Sequence, residues 1–223
     1  MTTPHRLIAS KWTGSMIVEA AFALSGVPCE IDMIPYGSAG GPDHQRLLQL
    51  NPLGQVPTLI LPDGRVMTES AAMILHLADL APQAGLVPAA DDPARPMFLR
   101  WLVFLVAALY PTFTYGDDPA RWMGDAEAGK PLRAATDAHR QTLWQYFTAQ
   151  NPCAPWVLGE TFSALDLYVA VMTAWRPGAN WFAQHCPALL DISKRVAALD
   201  MAALGWTYDQ AGRAAEAERA YRD

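Results

Sequence analysis

Residues 51–79 read NPLGQVPTLILPDGRVMTESAAMILHLAD. Two short apolar runs, 58–61 and 65–67, flank Pro62, Asp63 and Gly64. Proline fixes φ and glycine accepts a positive φ, so these three residues predict a turn between two paired strands. After the second run, Ala71, Ile74, Leu75 and Ala78 recur at helical spacing, which predicts a helix beginning near Glu69. Working back toward the start, 44–50 reads as a short helix and 30–34 as an extended run. Residues 6–9 read as a strand and 15–25 as a helix, with Ile17, Ala20, Ala21 and Leu24 at helical spacing and Gly26 as its stop. The order is β-α-β-α-β-β-α. Strands joined through a helix are expected to run parallel and the turn-linked pair antiparallel, which predicts a mixed four-stranded sheet.

Downstream, strand signals stop. Residues 81–96, rich in Ala, Pro and Asp, read as a linker. Helices are predicted over 97–109, 131–149, 165–175 and 187–199, with Pro111 ending or kinking the first. Residues 165–172 are apolar on nearly every side, the mark of a helix buried at the centre of its domain. The Ala-, Glu- and Arg-rich tail after Gly212 is expected to fray. The division is thus an α/β domain over 1–80, a linker over 81–96 and an all-α domain over 97–223.

Composition narrows the function classes. With 223 residues, 52% of them apolar and 17% charged, the chain can build two small cores and is too apolar for a disordered protein. A net charge of −6, without any Lys/Arg run, argues against a nucleic-acid or anionic-membrane surface, though a local positive pocket for a small anion is compatible with it. Cys29, Cys153 and Cys186 are odd in number and far apart, and no C-x-x-C occurs. That pattern reads as free thiols in a reducing compartment, not a disulfide framework or zinc site. The histidines lack metal-ligand spacing, so no metal is expected. The opening residues lack an apolar signal core and no run reads as long enough to span a bilayer, which predicts a soluble, cytoplasmic protein.

A second patterned stretch runs Gly159-Glu160-Thr161-Phe162-Ser163-Ala164-Leu165-Asp166. Ser163 and Asp166 have capping-box spacing with Asp in place of Glu, and Phe162 can pack on the following turn as a staple. A carboxylate opening an almost wholly apolar helix finds its partners in the backbone, so this motif is assigned to folding. Together, residues 51–79 and 159–166 resemble glutathione transferases, the first as the glutathione-binding stretch and the second as the helix-start motif of the helical domain. The resemblance covers the chain. The opening LIASKWTGSMIVEAAFALSGVP (7–28) is similar to bacterial members and unlike the tyrosine-type animal enzymes.

The resemblance implies a thioredoxin-like N-terminal domain holding glutathione and an all-helical domain shaping a pocket for a small hydrophobic second substrate. It implies a cis peptide at Val56-Pro57, where the backbone N–H and C=O of Val56 pair with the cysteinyl backbone of glutathione like one rung of a sheet. Read without it, Pro57 is an ordinary proline opening a strand. It implies that the N–H and hydroxyl of Ser70, at a helix start, hold the α-carboxylate of the γ-glutamyl residue and that Glu69 holds its ammonium. Read without it, Thr68 or Ser70 is an N-cap and Glu69 complements the helix dipole. Gln55 either reaches the same ligand or caps the preceding turn. The family also implies a homodimer, in which the small domain of one subunit packs on the helical domain of the other.

Glutathione reacts as a thiolate, so the site needs a hydrogen-bond donor and a positive field near sulfur. In this family the loop between the first strand and first helix supplies them through Tyr, Ser or Cys. Here that loop reads Ser10-Lys11-Trp12-Thr13-Gly14-Ser15, with no Tyr or Cys before Cys29 and Tyr36. The usual serine position falls near Trp12 and the usual cysteine position near Gly14. Thr13 and Ser15, which flank them, are the first candidates for the activating residue, followed by Ser10; Ser15 also suits an N-cap and Thr13 a loop position. Trp12, Tyr110, Phe113, Tyr115 and Trp122 are candidates for the pocket wall. The expected reaction is conjugation of glutathione to a hydrophobic electrophile. A glutathione-dependent isomerase, dehalogenase or peroxidase, or a non-catalytic glutathione-binding protein, stands as the alternative; the loop departure favours the last.

Overall fold

The computed structural model of the chain describes residues 3–35 and 40–199. Tyr36 and the tail after Gly212 lie outside them. The N-terminal part runs β1 (His5–Ala9), α1 (Ser15–Ser25), β2 (Cys29–Met33), α2 (Pro42–Leu50), β3 (Thr58–Ile60), β4 (Val66–Met67) and α3 (Ser70–Leu80). The sheet order is β2-β1-β3-β4. β1 pairs parallel with β2 and antiparallel with β3, and β3 pairs antiparallel with β4, as the turn at Pro62-Asp63-Gly64 requires. The helix-linked rule holds for β1 and β2 and not for β2 and β3. β3 crosses to the far side of β1 and runs opposite to it, because loop 51–57 reverses the chain before β3 begins. Alternation explains the one-sided core. Leu7, Ala9 and Leu59 face the cluster that contains α1 and α3, whereas Ile8 packs with Ile34 and Leu47 under α2.

The helical part runs α4 (Arg95–Phe104), a π turn (Leu105–Leu109), α5 (Tyr110–Asp117), α6 (Ala120–Met123), α7 (Ala126–Gln150), α8 (Ala164–Met172), α9 (Ala179–His185) and α10 (Pro187–Ala197). Pro111 does not stop the first of these helices. The N–H of Tyr110 bonds back to Leu105 O, and the widened turn carries the helix past a residue that has no N–H to give. The continuous run Arg95–Asp117 is therefore long and apolar enough to cross a membrane by length and composition, which corrects the expectation that no run reaches that length. Its residues Phe98, Trp101, Leu102, Leu105 and Leu109 are core in this fold. α7 starts at Ala126, a turn before Pro131, because the carboxylate of Asp125 accepts from Ala128 N at 2.9 Å and caps it.

Every residue of α8 is buried, as its apolar composition demands. Asp166 anchors its start: Oδ2 accepts from Ser163 N at 2.8 Å and Oδ1 from Val157 N at 2.8 Å. Burial pushes the Asp166 carboxyl up to about 6 against these donors. Phe162 meets the edge of Trp156 at 5.2 Å between ring centroids. The segment expected to be a linker is fastened in its first half. Pro82–Ala84 forms a short 3-10 turn, and Leu86 is buried with its carbonyl accepting from Ala164 N at 2.7 Å. α1 packs against both α3 and α8, so one helix joins the two parts.

Candidate active site

The strand registers bring three loops to one end of the sheet. β1 and β3 pair Ile8 with Thr58, and β3 and β4 pair Leu59 with Met67. Continued past the strand ends, the same registers set the start of loop 10–15 and residues Glu69 and Ser70 on either side of Val56 and Pro57. The peptide bond Val56-Pro57 is cis, as the resemblance implies. The N–H and C=O of Val56 have no hydrogen-bond partner among the described residues. Beside a short β3, they form an open rung that an extended peptide can join.

A residue that the sequence reading did not single out builds this rung. Asn51 is buried, donates through Nδ2 to Gln55 O at 3.0 Å and to Thr58 Oγ1 at 3.1 Å, and accepts from Leu53 N at 3.1 Å. Thr58 Oγ1 donates to Gln55 O at 2.8 Å. The main chain of Gln55 thus belongs to the turn, while Gln55 itself is exposed. Asn51 opens the stretch from which the fold was read, and its buried amide could have been suspected from Asn before a Pro-Leu-Gly turn.

Ser70 is the first residue of α3 and half-buried. Its hydroxyl lies 2.7 Å from that of Tyr168, which comes from the centre of α8 and is fully buried. Burial raises the Tyr168 pKa, so it stays protonated and fixes the rotamer of Ser70. Glu69, the N-cap residue, is exposed and holds φ at 67°. A non-glycine residue in that region is strained by about 1–3 kcal/mol, and such residues cluster at ligand sites. Trp12 holds φ at 66°, so two of the three strained non-glycine positions among the described residues, the third being Cys153, fall at this end of the sheet.

Loop 10–15 is knit by its own hydroxyls. Thr13 Oγ1 donates to Ser10 O at 2.8 Å and accepts from Ser15 N at 3.3 Å. Ser15 Oγ reaches Ser10 O at 3.0 Å, Glu19 Oε1 at 2.9 Å and Thr13 Oγ1 at 3.0 Å, and accepts from Ser10 N at 3.1 Å. Ser10 Oγ donates to Ile34 O at 2.9 Å. Ser10 and Ser15 are buried and Thr13 is half-buried, so of the three residues only Thr13 reaches the surface. Burial raises the Glu19 carboxyl above its ordinary range.

The expected aromatic wall divides. Tyr110 is half-buried and sits edge-on to Trp175, 5.6 Å between centroids. Trp175 also holds Phe113 edge-on at 5.1 Å. Phe113 is buried under the Arg140 guanidinium at 3.9 Å and belongs to the core. Arg140 is itself fully buried and fixed by Thr112 and Asp137. Tyr115 and Trp122 pair with each other at 4.8 Å and are exposed, as is Trp12. Among the described residues no group of three or more His, Cys, Asp or Glu side chains is arranged to hold a metal ion.

The chain thus joins a thioredoxin-like sheet, with a cis proline at its open end and a helix N-terminus beside it, to an all-α remainder. The comparisons agree. A family model described as the glutathione S-transferase N-terminal domain matches residues 15–80. An uncharacterized GST-like protein of Escherichia coli is 35% identical over 186 residues, covering 83% of this chain and 89% of the relative. A glutathione S-transferase of Xanthomonas campestris is 30% identical over 153 residues, covering 68% of this chain and 72% of the relative. The solved structure of a glutathione transferase homologue from Sulfitobacter, with bound glutathione, superposes with a TM-score of 0.79 at 25% identity, covering 90% of this chain and 96% of that one. The chain belongs to the glutathione S-transferase family.

Proposed function

We propose that the protein binds glutathione at the open end of the sheet and transfers its thiolate to a small hydrophobic electrophile. One observation carries this reading: the unpaired main chain of Val56, the N-terminus of α3 at Ser70 and loop 10–15 converge on one end of the sheet. Val56 pairs with the cysteinyl backbone, Ser70 takes the γ-glutamyl carboxylate at the helix N-terminus, Glu69 takes the ammonium, and the exposed side chain of Gln55 reaches the same ligand. The sulfur then lies at loop 10–15, where the α1 N-terminus favours the thiolate by about 0.3–2 kcal/mol. Ser10 and Ser15 shape the loop, and Thr13 meets sulfur by turning its hydroxyl away from Ser10 O. Trp12 and Tyr110 face the second substrate, whose activated halide, epoxide or enone carbon accepts the sulfur electron pair.

A second reading is a binding protein without turnover. It is favoured by the loop itself, whose three hydroxyls are all engaged within the protein. Retention on immobilised glutathione, followed by turnover of a chloronitrobenzene against a buffer control, separates the two. Retention with turnover supports the transferase, retention without turnover supports the binding protein, and no retention removes both.

A further inference from the structure

Gly14 stands at the end of loop 10–15, close to the position where the family resemblance sets a cysteine. The structure explains why this chain carries no side chain there. A Cβ built on Gly14 would lie 1.8 Å from the hydroxyl oxygen of Tyr110 and 3.0 Å from Cζ, so the tyrosine occupies the volume that the side chain of residue 14 would fill. The loop and the tyrosine are complementary: one lacks a side chain where the other delivers a hydroxyl.

Three features make that hydroxyl a usable donor. It has no hydrogen-bond partner among the described residues, whereas the hydrogens of Ser10 and Thr13 are spent inside the protein. Its position is built. Tyr110 directly follows the π turn, its ring lies edge-on to Trp175 and Phe113, and Phe113 is pinned by the buried Arg140. Its surroundings keep it protonated, since burial pushes the Tyr110 pKa well above the ordinary tyrosine range, and a neutral phenol can only donate to an anion.

We infer that Tyr110, supplied by the helical domain, donates its hydroxyl hydrogen to the thiolate of bound glutathione, a second donor beside the Thr13 hydroxyl that must first leave Ser10 O. The inference rests on the glutathione reading above. The thiol proton leaves to solvent. The sulfur electron pair forms the new C–S bond while the leaving group departs or the enone takes up the charge, and Tyr110 keeps its proton throughout. Gly14 is then a positioning residue that admits the hydroxyl.

The test uses the full chain as wild type, Tyr110→Phe and Gly14→Ala. Glutathione affinity is read by calorimetry, and the ultraviolet thiolate absorbance of the complex is followed against pH. Phenylalanine keeps the ring against Trp175 and Phe113, so Tyr110→Phe should melt with wild type and, at a pH below the bound thiol pKa, bind glutathione with an affinity changed by no more than about threefold, while its bound thiol pKa rises by about one unit, the thiolate fraction below that pKa falls about tenfold, and affinity above it falls by about the same factor. Gly14→Ala, whose methyl group displaces the hydroxyl, should reproduce the rise; if that variant does not fold, Tyr110→Phe decides alone. An unchanged thiol pKa in Tyr110→Phe overturns the inference and leaves glutathione binding standing. A wild type that binds no glutathione overturns the functional reading and the inference with it.

Discussion

Replacing Asp166 by alanine is expected to destabilise the protein more at pH 5 than at pH 8. The carboxylate is fully buried and accepts from two main-chain N–H groups, Val157 N and Ser163 N, each at 2.8 Å. Alanine leaves both without an acceptor, and an orphaned buried donor costs about 1–3 kcal/mol, so the gross loss is about 2–6 kcal/mol. At neutral pH part of that is offset, because the wild type must hold a buried charge and the variant need not. The net expectation at pH 8 is about 2–4 kcal/mol. The pH dependence follows from the carboxyl being pushed up to about 6 from its ordinary 3.8. A raised folded-state pKa means the protonated acid is the better-held form. Its contribution is fully present below about 3.8, declines as pH rises, and is lost above about 6. Between pH 8 and pH 5 the wild type therefore gains about 1.4 kcal/mol from this one group, and alanine forfeits it. Urea denaturation of both proteins at the two pH values, followed by tryptophan fluorescence, gives the comparison. A cost below about 0.5 kcal/mol at pH 8, or a smaller cost at pH 5 than at pH 8, would refute the role of Asp166 as a buried two-donor cap.

Thr13→Ala is expected to raise the pKa of bound glutathione with little loss of stability, whereas Ser15→Ala should lower the melting temperature through loss of the Ser10 and Glu19 bonds; the reverse assignment would be seen in thermal melts and thiolate titration of the two variants. Burial pushes the thiols of Cys29 and Cys153 up to about 12, so the folded protein at pH 8 should resist iodoacetamide and the urea-denatured chain should not, as mass spectrometry of alkylated peptides will report. Leu53, Leu99 and Val103 are among the exposed apolar side chains, and a second copy of the chain is expected to cover some of them. Light scattering at micromolar concentration should give twice the chain mass, and a monomer mass would contradict the homodimer.

What could be read from residues 51–79 was read because each signal there is local. Pro62-Asp63-Gly64 specifies its own turn, and the spacing from Ala71 to Ala78 specifies α3 without reference to the rest of the chain. The same is true of Ser163 and Asp166, three residues apart on one helix turn. What escaped depends on distant partners. Tyr168 meets Ser70, and Tyr110 meets Gly14, between the helical part and the sheet-bearing part, and neither pairing leaves a periodic trace. The amide of Asn51 finds its partners, Gln55 O and Thr58 Oγ1, only once loop 51–57 is folded. Pro111 reads as the end or a kink of the helix because its missing N–H is a strong local signal; the π turn that carries the helix past it is a tertiary solution that the local signal does not contain. The helix-linked strands β2 and β3 escaped for a similar reason, since only the path of loop 51–57 decides that they are not neighbours. Three hydroxyls in loop 10–15 were visible as candidates, but their burial, which separates Thr13 from Ser10 and Ser15, was not.

The most direct test of the central claim is calorimetric titration of glutathione into the wild-type protein and Ser70→Ala. Ser70 offers a hydroxyl and an N–H at the first position of α3, and losing a hydrogen bond to a charged carboxylate costs about 1.5–3 kcal/mol. The account predicts saturable binding of one glutathione per chain by wild type and an affinity weaker by about tenfold to a hundredfold in Ser70→Ala, with the melting temperature of the ligand-free protein lowered only by loss of the Tyr168 contact. Absence of binding by wild type, or equal affinity in the two proteins, would contradict it.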